Sequence, residues 1–107
     1  MRTSTFHVPA ARRVPVQCVL YVPHDERQGS GTIVNLSLDR CHLESRVEVC
    51  PGMIVSLYLM LLNAPQDIAI ERALVTWARQ GEFGIQIQHL QPAEAHHLRE
   101  YLMTQAD

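Results

Sequence analysis

Val14-Pro15-Val16-Gln17-Cys18-Val19-Leu20-Tyr21-Val22 carries an apolar residue at every second position. Val14, Val16, Cys18, Leu20 and Val22 form one series, and Pro15, Gln17 and Tyr21 stand between them. In extended backbone successive side chains point to opposite faces, so this period of two reads as a strand with one buried side. The pattern recurs along the chain. His24 to Gly31 reads as a polar loop closed by Gly-Ser-Gly, a hairpin connection into a second strand over Thr32 to Leu36. Cys41 to Glu44 alternates as a third, and Pro51-Gly52 turns the chain into the apolar stretch Met53 to Leu62. After a loop at Asn63 to Asp67, Ile68 to Ile70 and Ala73 to Arg79 form two further strands or one bent one. A turn at Gln80-Gly81-Glu82 leads into Phe83, Ile85 and Ile87, alternating in a last strand. Six or seven short strands with turns between them predict an all-β, closed or nearly closed antiparallel barrel.

Beyond Gln88 the period changes. Pro92 fits the first helical position, and Ala95, Leu98, Tyr101 and Leu102 follow at helical spacing, predicting one C-terminal helix from Pro92 to Thr104. A helix of that length is marginal alone and needs the barrel or a partner to pack on.

With 107 residues, 47% apolar and 19% charged, the chain is sized and composed for one folded domain. A net charge of −2 argues against bulk binding to DNA, RNA or an anionic membrane. The charge is uneven: Arg2, Arg12 and Arg13 precede the first acidic residue, Asp25. Such an arm attracts small anions. Met1 to Pro9 lacks the apolar core of a secretion signal, and Met53 to Leu62 is about half the ~20 residues a spanning helix needs. Three cysteines without a C-x-x-C pair argue against a disulfide framework and fit a reduced, cytoplasmic setting.

No pattern of a hydrolase, a phosphate-cradling loop or a zinc enzyme occurs, and Asp39 and Glu44 read as solvated charges, so no enzyme is expected. His96 and His97 are about 100° apart on a helix, and Cys41 and His42 point to opposite faces of a strand, so neither pair suits a metal. Neither metal nor cofactor is expected, and Cys18 and Cys41 read as buried thiols. The sole tryptophan, Trp77, continues the Ala73/Val75 alternation and reads as a core anchor in preference to a stacking surface.

One stretch stands apart: Asn35-Leu36-Ser37-Leu38-Asp39-Arg40, after the strand Gly31-Thr32-Ile33-Val34 and an arginine-bearing N-terminus. That order resembles the PilZ domain family, small bacterial modules that bind cyclic di-GMP. The family signatures are Arg-x-x-x-Arg near the N-terminus and Asp/Asn-x-Ser-x-x-Gly at a strand end. Here Arg13 fits the second arginine, with Pro9 at the place of the first. Asn35 and Ser37 fit the second signature, with Arg40 at the glycine position. Pro51-Gly52-Met53-Ile54-Val55-Ser56-Leu57, Ala73-Leu74-Val75-Thr76-Trp77 and Gly84-Ile85-Gln86-Ile87 resemble later family strands. The resemblance implies an arm over 1–13 and a barrel domain with C-terminal helix over 14–107.

It also implies that Arg13, Asn35 and Ser37 contact cyclic di-GMP, with Arg12 a substitute for the missing arginine. Arginine forks suit phosphate oxygens and the O6/N7 edge of guanine, and an asparagine amide suits its N1 and N2 protons. For Arg40 two readings stand. It either faces the ligand and restores a positive charge, or it strains a turn that favours glycine. The implied function is a non-enzymatic receptor or adaptor that relays cyclic di-GMP to a downstream protein in motility, pilus or biofilm control. The alternative is an interaction module that does not bind nucleotide.

Overall fold

The computed structural model describes residues 16–61 and 66–105. Six strands occur among them: β1 (Val16–Val22), β2 (Arg27–Leu36), β3 (Arg40–Ser45), β4 (Ile54–Met60), β5 (Ile68–Arg79) and β6 (Glu82–His89). All neighbours are antiparallel, and the order β1-β2-β3-β6-β5-β4 closes on itself as a barrel. One helix, α1 (Pro92–Gln105), follows. Closure leaves no strand edge bare, which removes a common route to aggregation.

The alternation within β1 holds: Val16, Cys18, Leu20 and Val22 point into the barrel. Ile33, Leu36, Leu43, Val55, Leu57, Leu59, Ile68, Ile70, Val75, Phe83 and Ile85 complete the interior, and no polar side chain is buried among the described residues. Each fully buried aliphatic side chain contributes about 1.5–3 kcal/mol. Cys18 and Cys41 are free thiols inside this core. Burial pushes the Cys18 thiol up to about 11, against a smaller opposing hydrogen bond with the Gly31 backbone, and raises Cys41 further.

Two expectations are corrected, and one alternative is settled. The polar loop His24 to Gly31 is mostly strand, because β2 starts at Arg27 and the turn is confined to residues 23–26, where Glu26 adopts φ 59°. Gly29 and Gly31 serve close packing there: a Cβ on Gly31 would lie 3.0 Å from the Glu44 carbonyl oxygen. The stretch Ile68 to Arg79 is a single strand, bent by a register shift at Arg72/Ala73. Trp77, expected in the core, lies half-buried on the outer face. Its displacement has a defined cause. Val75 pairs with Ile85 but Trp77 pairs with Gly84, so a bulge re-aims Thr76 and Trp77 outward while Ala78 packs against the core.

The helix packs on β5 through buried Leu98, Tyr101 and Leu102. The Ala95 N–H donates to the Gln91 carbonyl at 2.8 Å, opening the first turn around Pro92. Glu94, in that turn, accepts the Ala69 N–H at 3.0 Å and ties the helix start to β5. No helix among the described residues is long and apolar enough to cross a membrane.

Candidate functional site

β2 ends in a second bulge. Ile33 faces Leu43, but Asn35 faces His42, and the buried positions Ile33 and Leu36 are three apart instead of two. The extra residue turns both Val34 and Asn35 away from the core. The chain then folds back through a tight turn into β3. Ser37 donates its N–H to the Arg40 carbonyl at 2.9 Å, and the Ser37 hydroxyl accepts the Arg40 N–H at 3.1 Å. That hydroxyl also lies 3.1 Å from the Asp39 carboxylate. The Asp39 carbonyl accepts the Ile87 N–H at 2.8 Å, which fixes the turn against β6.

The turn carries Arg40 out to solvent, with no partner for its guanidinium among the described residues. Glu26 is the only described non-glycine residue with positive φ. Arg40 therefore occupies ordinary strand backbone opposite Gln86, and the strained-turn reading of Arg40 is corrected.

The two bulges face each other across β3 and β6 and border a groove of about 420 Å³. Asn35, Ser37 and Arg40 lie along one side, and Thr76 and Trp77 along the other. The outer surface of β3 and β6, including His42, Gly84 and Gln86, lies between them. Three of the five residues singled out from sequence thus share one site. Arg12 and Arg13, like Pro9, lie outside the described residues.

The Asn35 and Gln86 amides have no side-chain partner among the described residues, so they remain open to a ligand. The indole of Trp77 has the Arg79 guanidinium 5.0 Å from its ring centre. The groove can accordingly offer a flat aromatic surface, two amides and one free cation, which suits a planar, hydrogen-bonding, negatively charged molecule. No group of three or more histidine, cysteine or acidic side chains among the described residues is placed to hold a metal.

Sequence reasoning missed His42, Thr76, Trp77 and Gln86. For Trp77 a signal existed in Gly84, a glycine inside an otherwise regular strand, which marks close approach by a large neighbour.

Among curated proteins none matches this sequence. Among solved structures, the crystal structure of the PilZ domain of CeSA from a cellulose-synthesizing bacterium is similar over 88% of this chain and 95% of its own, with a TM-score of 0.69. At 8% identity that likeness concerns the fold. The sequence model of the PilZ domain matches residues 9–104, nearly the whole chain and both signature regions. With the closed six-stranded barrel and its terminal helix, that match makes this protein a member of the PilZ domain family.

Proposed function

We propose that the protein is a cyclic di-GMP receptor that binds the dinucleotide in the groove between the two bulges and relays its presence to a partner protein in the cytoplasm. The observation that carries this reading is the meeting of Asn35, Ser37, Arg40 and Trp77 on one surface. Arg40 takes a phosphate or the O6/N7 edge of guanine, Asn35 and Gln86 take the remaining polar edge, and Trp77 stacks on a base.

Chain reach also supports it. Val16 pairs with Ile33, two residues before Asn35, so β1 starts beside the groove. Arg13 is three residues earlier, within about 10 Å of Val16 even in extended chain. Arg12 and Arg13 are therefore within chain reach of a dinucleotide in the groove and supply charge-assisted contacts to it. Pro9 in place of an arginine removes one such contact, about 1.5–3 kcal/mol, or one to two decades in affinity.

Isothermal titration with cyclic di-GMP, GMP and cyclic di-AMP tests the reading. Saturable binding in the range of tens of micromolar or tighter is expected for cyclic di-GMP alone. Pro9 and the engagement of the Ser37 hydroxyl within its own turn favour a second reading, a PilZ-fold interaction module without nucleotide. Absence of heat with all three ligands selects it.

A further inference from the structure

His42, Gly84 and Trp77 form one cross-strand row. His42 on β3 is directly opposite Gly84 on β6, and Gly84 is directly opposite Trp77 on β5. Alternate strands of a sheet are about 9.5 Å apart, too far for two rings to touch over an ordinary middle residue. Here the middle residue has no side chain, and the rings meet across it with centroids 5.1 Å apart and planes at 66°. A Cβ on Gly84 would come 2.7 Å from Cε2 and 2.8 Å from Cδ1 of the indole. The imidazole is itself held: its Nε2 lies 2.7 Å from Oε1 of Glu82, two residues before Gly84 on the same face of β6. With an ionised carboxylate as acceptor, Nε2 carries the proton.

We infer that Glu82 and His42 are positioning residues that brace the Trp77 indole edge-on across Gly84, fixing it as a rigid stacking wall of the groove. This inference rests on the nucleotide reading only for its consequence; the brace itself is a property of the free protein. An outward-facing tryptophan on a bulge has few packing partners and two side-chain torsions to lose on binding a planar ligand. The brace removes that freedom beforehand. Edge-to-face contact with the imidazole restrains the indole on one side, the Nε1 side of the ring rests against the Gly84 backbone, and the Arg79 guanidinium, which does not line the groove, lies 5.0 Å from the ring centre. Glu82 acts through His42: by accepting from Nε2 it sets the ring's rotation.

The test uses the chain's sole tryptophan as its own reporter. Time-resolved fluorescence anisotropy of the free, full-length protein is compared for wild type, His42→Ala, Glu82→Ala and Glu82→Gln, with circular dichroism showing each variant folded. Both alanine variants are expected to release a faster local motion of the indole and to weaken cyclic di-GMP binding about two- to tenfold. Glu82→Gln keeps an acceptor oxygen for Nε2 and is expected to rescue both readouts. Should His42→Ala fail to fold, Glu82→Ala carries the comparison, because its side chain is 32% exposed and belongs to no core cluster. An indole as restricted in the folded alanine variants as in wild type overturns the brace. A wild-type protein that ignores cyclic di-GMP overturns the nucleotide reading instead, since the anisotropy comparison is made without ligand.

Discussion

The barrel has two unlike outer sides. Along β1 and β4 the ladder runs without a register shift from Gln17–Met60 to Tyr21–Ser56, and period two holds throughout. Its outer surface presents Gln17, Val19, Tyr21, Ser56, Tyr58 and Met60, with no cationic side chain to offer an anion. Along β2, β3, β6 and β5 the ladder is broken at Ile33/Asn35, at Arg72/Ala73 and at Val75/Trp77. The breaks at Ile33/Asn35 and Val75/Trp77 each turn an additional side chain outward, and the groove lies between these two. Regular pairing builds the container, and the two bulges beside the groove turn side chains outward.

If the sides differ only on the outside, the core beneath them should respond alike. Leu20 lies under the regular side and Phe83 under the groove, both buried to within 1% exposure. Leu20→Ala should cost about 2–5 kcal/mol and Phe83→Ala about 3–5 kcal/mol, read from urea unfolding. A Phe83→Ala cost below about 1 kcal/mol would mean that the groove side is loosely packed, and the contrast would then extend into the core.

The next effect belongs to the groove alone. Gly84→Ala drives a methyl group into the indole of Trp77, which must swing out or force the strand aside. A loss of about 1–3 kcal/mol is expected, together with a red shift of tryptophan emission and loss of nucleotide binding. Unchanged emission would show that the indole does not rest on Gly84.

What sequence could reveal divides along the same line. Val16, Cys18, Leu20 and Val22 face inward as their spacing demands, and Leu98, Tyr101 and Leu102 bury the helix stripe. Asn35, Ser37 and Arg40 were legible through family resemblance, because a motif is local in sequence. Trp77 was misread because a single extra residue reverses the face of everything beyond it, and no composition rule marks Thr76 as that residue. The start of β2 was misread for a related reason. Gly29 and Gly31 look like turn formers, yet they are strand residues that give room to Val47 and to the β3 backbone. His42 and Gln86 carry no motif at all, and only pairing register brings them to the site.

Arg40 gives a smaller and sharper contrast. Arg40→Ala should weaken cyclic di-GMP binding about tenfold, the scale of one charge-assisted contact, with stability within about 0.5 kcal/mol of wild type. Arg40→Gly should lose the same affinity and gain no stability. The backbone there does not have positive φ, so glycine relieves nothing and costs about 0.5–1 kcal/mol of chain entropy. Titration calorimetry beside thermal melts separates these outcomes. Tighter binding by Arg40→Gly would mean that the arginine obstructs the groove.

The smallest effects belong to the regular side, where Tyr58 is 47% exposed. Its phenol is raised above the ordinary tyrosine value, first by the charge of the Asp67 carboxylate, then by partial loss of hydration, a hydrogen bond to Asp67 and the charge of Glu94. A raised value means that the folded protein holds this proton more tightly than the unfolded chain does. Any stability linked to it is therefore complete below the unfolded tyrosine range near pH ~10 and fades as pH rises through the folded value. In alkaline titration of tyrosinate absorbance, the step that belongs to Tyr58 should lie above the ordinary tyrosine value, and Asp67→Asn should bring it back toward that value. Tyr58→Phe should remove that late step and leave both stability at neutral pH and cyclic di-GMP affinity unchanged. A loss of affinity in Tyr58→Phe would break the comparison itself, because the regular side would then take part in binding.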